Sequence, residues 1–211
     1  MSAGHESIDV NYAFPHNYEI TVLESYSLVH PAEKLHHFPA QLEEGDRNGI
    51  YLRVTRNDSR SWIGFFAQGF DSPQVAHGVF SCPDPDWLCA VAGGYAFLVD
   101  STNPQRWIQV EQRPVVVVRA VPELRLLIFV GFTSLTILGE SARLWTTERL
   151  SWEGITISEI QGTKLTGMSW DAIADKEVPF EVDLLTGKSK GGARPAVKEA
   201  QLSAPKFKIN Q

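Results

Sequence analysis

Two dipeptides in this sequence join a tryptophan to an aspartate: Asp86-Trp87 and Trp170-Asp171. An exposed indole stacks on the C–H face of a sugar while a neighbouring carboxylate accepts hydroxyl hydrogen bonds. Asp86, Trp87, Trp170 and Asp171 are therefore the candidate ligand-binding residues. The competing reading makes both tryptophans packing plugs at strand ends, each burying about 150–250 Å².

Other chemistry finds less support. All six histidines (His5, His16, His30, His36, His37 and His77) fall in the N-terminal part of the chain, with none after His77. His30, His36 and His37, with Glu33 or Asp46, come nearest to a metal set. Adjacent side chains such as His36 and His37 point apart on a helix or a strand, so no metal is expected, and no other cofactor. Cys82 and Cys89 lack the second cysteine pair of a zinc site and are expected to be free structural thiols. Gly187-Lys188-Ser189 suggests a phosphate loop, but Val182 stands where that loop needs its first glycine, and Gly191-Gly192 and Pro195 would break the helix that must follow. Gly167-Met168-Ser169-Trp170-Asp171 lacks the final glycine of a nucleophile elbow. A triad has no fixed order along a chain, so a hydrolase with scattered residues stays as a second alternative.

Charge is unevenly placed over the 211 residues, whose net charge is −6. From Lys188 onward there are six basic residues (Lys188, Lys190, Arg194, Lys198, Lys206 and Lys208) against the single acid Glu199, which leaves −11 for the preceding chain. An acidic body argues against a nucleic-acid binder. The chain's start, Met1 to Val10, has neither the basic flank nor the apolar stretch of a signal peptide, and no apolar run approaches the roughly 18–20 residues that span a bilayer. A cytoplasmic protein with no membrane association is expected.

The elements that must position these residues read as strands. Gly and Pro together number 28. Turn signals from Pro83 onward recur mostly at intervals of roughly 9–13 residues, the even spacing of short strands in an all-β fold. Between them lie runs of β-forming residues such as 50–55, 62–67, 95–99, 126–130 and 180–184. Residues 115–118 and 127–130 are apolar without alternation, which implies central strands covered on both faces. Pro31 and the residues to His37 are expected to form one helical turn stopped by Pro39.

Strands at this spacing close into a sandwich, a barrel or a propeller. Val99-Asp100 and Leu138-Gly139 each precede a turn and then a tryptophan, Trp107 and Trp145 respectively. The interval between those tryptophans is roughly 40 residues, the length of a four-stranded propeller blade. Val182-Asp183 follows Val99-Asp100 after about two such intervals. The pattern in Phe97-Leu98-Val99-Asp100 and in Phe180 to Lys188 resembles the blade signature of quinoprotein-type propellers. It covers about a dozen residues, lacks the tryptophan after Gly187, and assigns no family. The expected fold is all-β, an antiparallel meander forming a small β-propeller of about five blades, with a two-sheet β-sandwich as the alternative.

Three regions are expected: an irregular N-terminal arm over 1–17, an all-β domain over 18–187, and a basic C-terminal tail over 188–211. In the tail, Lys188, Lys190, Arg194, Lys206 and Lys208 are expected to contact the acidic body or a second subunit. A rigid β-fold presenting many loops, without a legible catalytic set, points to a non-enzymatic protein-interaction or scaffolding module whose partner is another protein or a second copy. The alternative is a carbohydrate or small-molecule binder using the Trp/Asp pairs.

Overall fold

The computed structural model describes residues 8–24, 33–41 and 48–193. They form seventeen strands in four mostly antiparallel sheets. Sheet I contains β2 (Tyr18–Leu23), β4 (Gly49–Arg56), β5 (Ser61–Ala67) and β3 (Leu35–Phe38), in that spatial order. Sheet II is the meander β6 (Gly78–Ser81), β7 (Trp87–Ala92), β8 (Tyr95–Asp100) and β9 (Trp107–Gln109), with β1 (Val10–Asn11) added in parallel beside β6. Sheet III is the meander β10 (Val117–Val121), β11 (Leu126–Val130), β12 (Leu135–Leu138) and β13 (Leu144–Thr146). Sheet IV repeats the meander with β14 (Ile155–Gln161), β15 (Lys164–Asp171), β16 (Lys176–Asp183) and β17 (Ser189–Gly191).

The sheets stack face to face in chain order. Alternate residues of sheet II divide between two cores: Leu88, Ala90, Phe97 and Val99 meet Leu52, Val54 and Phe66 of sheet I, while Cys89, Val91, Ala96 and Leu98 meet Leu127 and Phe129 of sheet III. Sheet III divides likewise, sending Leu126, Ile128, Val130 and Ile137 against Leu165, Phe180 and Val182 of sheet IV. Side chains alternate across a strand, so a sheet covered on both sides is apolar at every position. Every residue of β7, β11 and β12 is accordingly buried. Among the described residues no hydrophobic cluster joins sheet IV to sheet I.

Two local expectations are corrected. Leu35–Phe38 is a strand, parallel to β5, rather than part of a helical turn. Alternation sends Phe38 into the core, where it stacks on Phe66 at 4.7 Å, and the ladder supplies backbone partners that a single isolated turn lacks. In the run 115–118, Val115 is buried but Val117 is 48% exposed. It lies on β10, one of the two edge strands of sheet III, so the unbroken valines do not mark a strand covered on both faces.

Candidate ligand-binding surface

Asp86 and Trp87 sit where the β6–β7 turn enters sheet II. The Asp84 carboxylate accepts the Asp86 backbone N–H (3.1 Å), and Asp86 Oδ1 accepts Asn17 Nδ2 (2.9 Å). Trp87 is only 8% exposed and packs in the core between sheets II and III, with the Arg106 guanidinium 5.7 Å from its ring centre. Its carbonyl accepts the buried Tyr18 hydroxyl (2.9 Å). The indole is a packing plug, and the Asp86 carboxylate ties the N-terminal segment to the turn.

Trp170 and Asp171 end β15, in sheet IV. Asp171 Oδ1 accepts the backbone N–H of Ile173 (2.9 Å) and Ala174 (3.2 Å), which shapes the β15–β16 turn. Trp170 is half-buried, and Ser151 holds its main chain. The fully buried Ser151 hydroxyl donates to Gly154 O (2.6 Å) and accepts Trp170 N–H (3.0 Å), while Trp152 N–H donates to Trp170 O (3.0 Å). The loop 151–154 is thereby fixed beside the indole. Together they line an open hollow of about 280 Å³ with Glu153, Thr156 and Glu177. Glu177 lies directly across the ladder from Trp170. Among the described residues neither Glu153 nor Glu177 has an ion-pair partner. The four candidate residues are not one site: Asp86 and Trp87 belong to sheet II, Trp170 and Asp171 to sheet IV, and sheet III lies between.

The hollow opens on the outer face of sheet IV. Register places Thr156, Met168 and Pro179 in one row, Glu159, Thr166, Glu181 and Lys190 in the next, and Trp170 with Glu177 in a third. Met168 and Thr166 are half-buried and Pro179, Glu177 and Glu181 exposed, so among the described residues this face is open while the inner strands of sheets II and III are covered on both faces. Lys164 Nζ lies 2.9 Å from Glu181, whose carboxyl is held below its usual range chiefly by the hydrogen bond from that lysine. Of the basic residues expected to contact the body, Lys190 is on β17 opposite Glu181, and Lys188 precedes it in the β16–β17 turn. Arg194, Lys206 and Lys208 lie outside the described residues.

A larger cleft of about 1030 Å³, not foreseen from the sequence, runs between sheets I and II past Tyr51, Phe70, Asp71, Ser72, His77 and Gly93. No spacing rule signals it, because its walls come from the ends of separate strands. His77 Nδ1 accepts the Gly93 backbone N–H (3.2 Å), so the neutral ring carries its proton on Nε2. Ser72 Oγ accepts the Gln74 backbone N–H (3.2 Å) in a local turn.

The remaining candidates separate in space. Cys82 and Cys89 are free and buried, and burial pushes both thiols well up, which disfavours the nucleophilic thiolate. His36 meets the edge of Trp62 (5.7 Å) while His37 lies beside Phe65 (5.8 Å), on the opposite face of the same strand. Burial, then Lys34 and His37, lower the His36 pKa. His30 and Asp46 lie outside the described residues. Gly187 turns at φ 70° between β16 and β17, and a strand follows Lys188, not the helix a phosphate loop requires.

No family model matches the chain and no curated protein matches it. Among solved structures it is similar to a chain of an S. cerevisiae complex of Dbp5 bound to Nup159, Gle1, IP6 and ADP, at 12% identity and TM-score 0.34, covering 90% of this chain and 54% of that one. It is also similar to the N-terminal domain of Nup159, at 12% identity and TM-score 0.32, covering 90% of this chain and 55% of that one. The chain thus spans about half the length of the solved chains it matches.

Proposed function

We propose that this protein is a non-enzymatic interaction module, its four sheets serving as consecutive propeller-like blades and the outer face of sheet IV as the surface that receives a polypeptide partner. One observation carries the reading. The inner strands β7, β11 and β12 of sheets II and III are buried on both faces, whereas sheet IV offers a sheet face bearing Met168, Trp170 and Pro179 among carboxylates. An apolar centre with a polar rim is the usual anatomy of a protein contact.

The test compares affinity capture by the wild-type chain with capture by Met168→Glu. The substitution lies on the outer face and should leave the melting curve close to wild type. Specific proteins lost from the variant support the reading; an identical captured set refutes it. A second reading, carbohydrate binding, is favoured by the half-exposed Trp170 between Glu153 and Glu177. Glycan-array binding abolished by Trp170→Ala would establish it.

A further inference from the structure

We infer that the outer face of sheet IV is occupied by the chain's own C-terminal segment, residues 194–211, with one of its basic side chains seated in the hollow between Trp170, Glu153 and Glu177. This rests on the reading of that face as a docking surface and names what lies on it.

The point of departure is fixed. Gly192 N–H donates to Pro179 O (3.0 Å) and Ala193 N–H to Leu150 O (2.7 Å), so the chain is tied down to its last described residue. Leu150 precedes Ser151, whose hydroxyl holds Trp170 and Gly154 at the hollow. The segment therefore starts beside the loop that forms one wall of the hollow. Eighteen residues follow Ala193. Extended, they reach about 60 Å, whereas four strands at the usual spacing measure only about 15 Å across.

Charge and pattern agree with that placement. The segment holds Arg194, Lys198, Lys206 and Lys208 against Glu199, a net +3. The surface it would cover carries Glu153, Glu159, Glu177 and Glu181 against Lys164 and Lys190. Lys164 is engaged by Glu181, and the nearby Arg149 guanidinium stacks over Trp152 at 5.1 Å, which leaves Glu153 and Glu177 to meet an incoming cation. An indole wall adds attraction for an ammonium or guanidinium. In Lys206-Phe207-Lys208-Ile209 apolar residues alternate with lysines, a composition that matches a face bearing Met168 and Pro179 among carboxylates.

Zero-length carbodiimide cross-linking of the full chain, followed by peptide mapping, tests this. Within the monomer band, Glu153 or Glu177 should be joined to Lys198, Lys206 or Lys208. The yield should fall at least about threefold in 1 M salt, where the Debye length shrinks to roughly 3 Å. Tail cross-links within the monomer should fall as much in a Glu153→Gln/Glu177→Gln double variant, whose exposed positions leave the fold intact. Links found only between two copies assign the face to a second subunit and overturn the inference. So do tail links spread evenly over the acids of all four sheets, or none at all. Capture of a partner that depends on Met168, without these links, keeps the docking surface and removes its intramolecular occupant. The links without any partner do the reverse.

Discussion

Asp100 and Asp183 hold the same turn in two different sheets. Each ends the third strand of its meander, and each Oδ1 accepts two successive backbone N–H groups and a threonine hydroxyl: from Thr102, Asn103 and the Thr102 side chain for Asp100, and from Leu185, Thr186 and the Thr186 side chain for Asp183. The equivalence has unequal energetic weight. Asp100 is 3% exposed and also pairs with Arg106 (2.9 Å), whereas Asp183 is partly open to solvent.

Asp100→Ala should therefore cost about 2–4 kcal/mol, because several backbone donors and a guanidinium lose their acceptor together. Asp183→Ala should cost distinctly less. Urea unfolding of both variants measures the difference, and equal losses would refute it.

The Asp183 carboxyl is held below its ordinary value by hydrogen bonds, first from the Thr186 hydroxyl and then from the Thr186 backbone. A depressed carboxyl contributes stability above its unfolded pKa of about 3.9, and that contribution is lost as pH falls through the folded value. Asp183→Asn should consequently narrow its gap to wild type as pH drops below about 4, as followed by melting temperature.

Val117 and Phe129 should answer oppositely to the same substitution. Phe129 is fully buried on β11 between sheets II and III, so Phe129→Asp strands a carboxylate in a core and should abolish soluble expression. Val117→Asp, on the open side of β10, should express and melt within a few degrees of wild type.

Cys82 and Cys89 should resist a disulfide reagent at pH 8 in the native protein and react fully after denaturation. Burial both blocks access and disfavours the thiolate. Fast native labelling of either would place it outside the core.

Ser151→Ala removes the hydroxyl that links Gly154 O to Trp170 N. A loss of about 1–3 kcal/mol is expected from the buried groups left without partners. Any glycan binding that Trp170→Ala abolishes should weaken with it, since the loop is no longer fixed beside the indole.

The repeat is legible because it is written in the turns. Val99-Asp100, Leu138-Gly139 and Val182-Asp183 all end third strands, and Trp107 and Trp145 both lie on the fourth strands that follow. Sheet I departs from the series, because it inserts the parallel strand β3 beside β5. Other features depend on which surfaces meet, and local sequence does not encode that. Asp86-Trp87 and Trp170-Asp171 have the same two residue types, yet sheet III covers the first indole and nothing among the described residues covers sheet IV beyond the second. The valines near Val117 read as interior because the pattern registers apolarity and carries no information on edge position. Leu35–Phe38 gains its strand form from β5, a partner distant in sequence and invisible to local periodicity.

The path of the chain before Tyr18 makes the two ends of the stack unequal. Residues 8–17 run along sheet II, through the β1–β6 pairing, Phe14 N–H to Ser81 Oγ (2.8 Å) and Asn17 N–H to Pro85 O (3.0 Å), before β2 opens sheet I. Sheet I is thus bolted to its neighbour by a segment that crosses the boundary, while the described part of sheet IV leans on sheet III through one core and its connecting loop. Amide hydrogen exchange should rank them accordingly: slowest in β7, β8 and β11, intermediate in β4 and β5, fastest in β14 to β17. Fraying would then begin at sheet IV and advance inward one sheet at a time, as in a solenoid whose units touch only their neighbours.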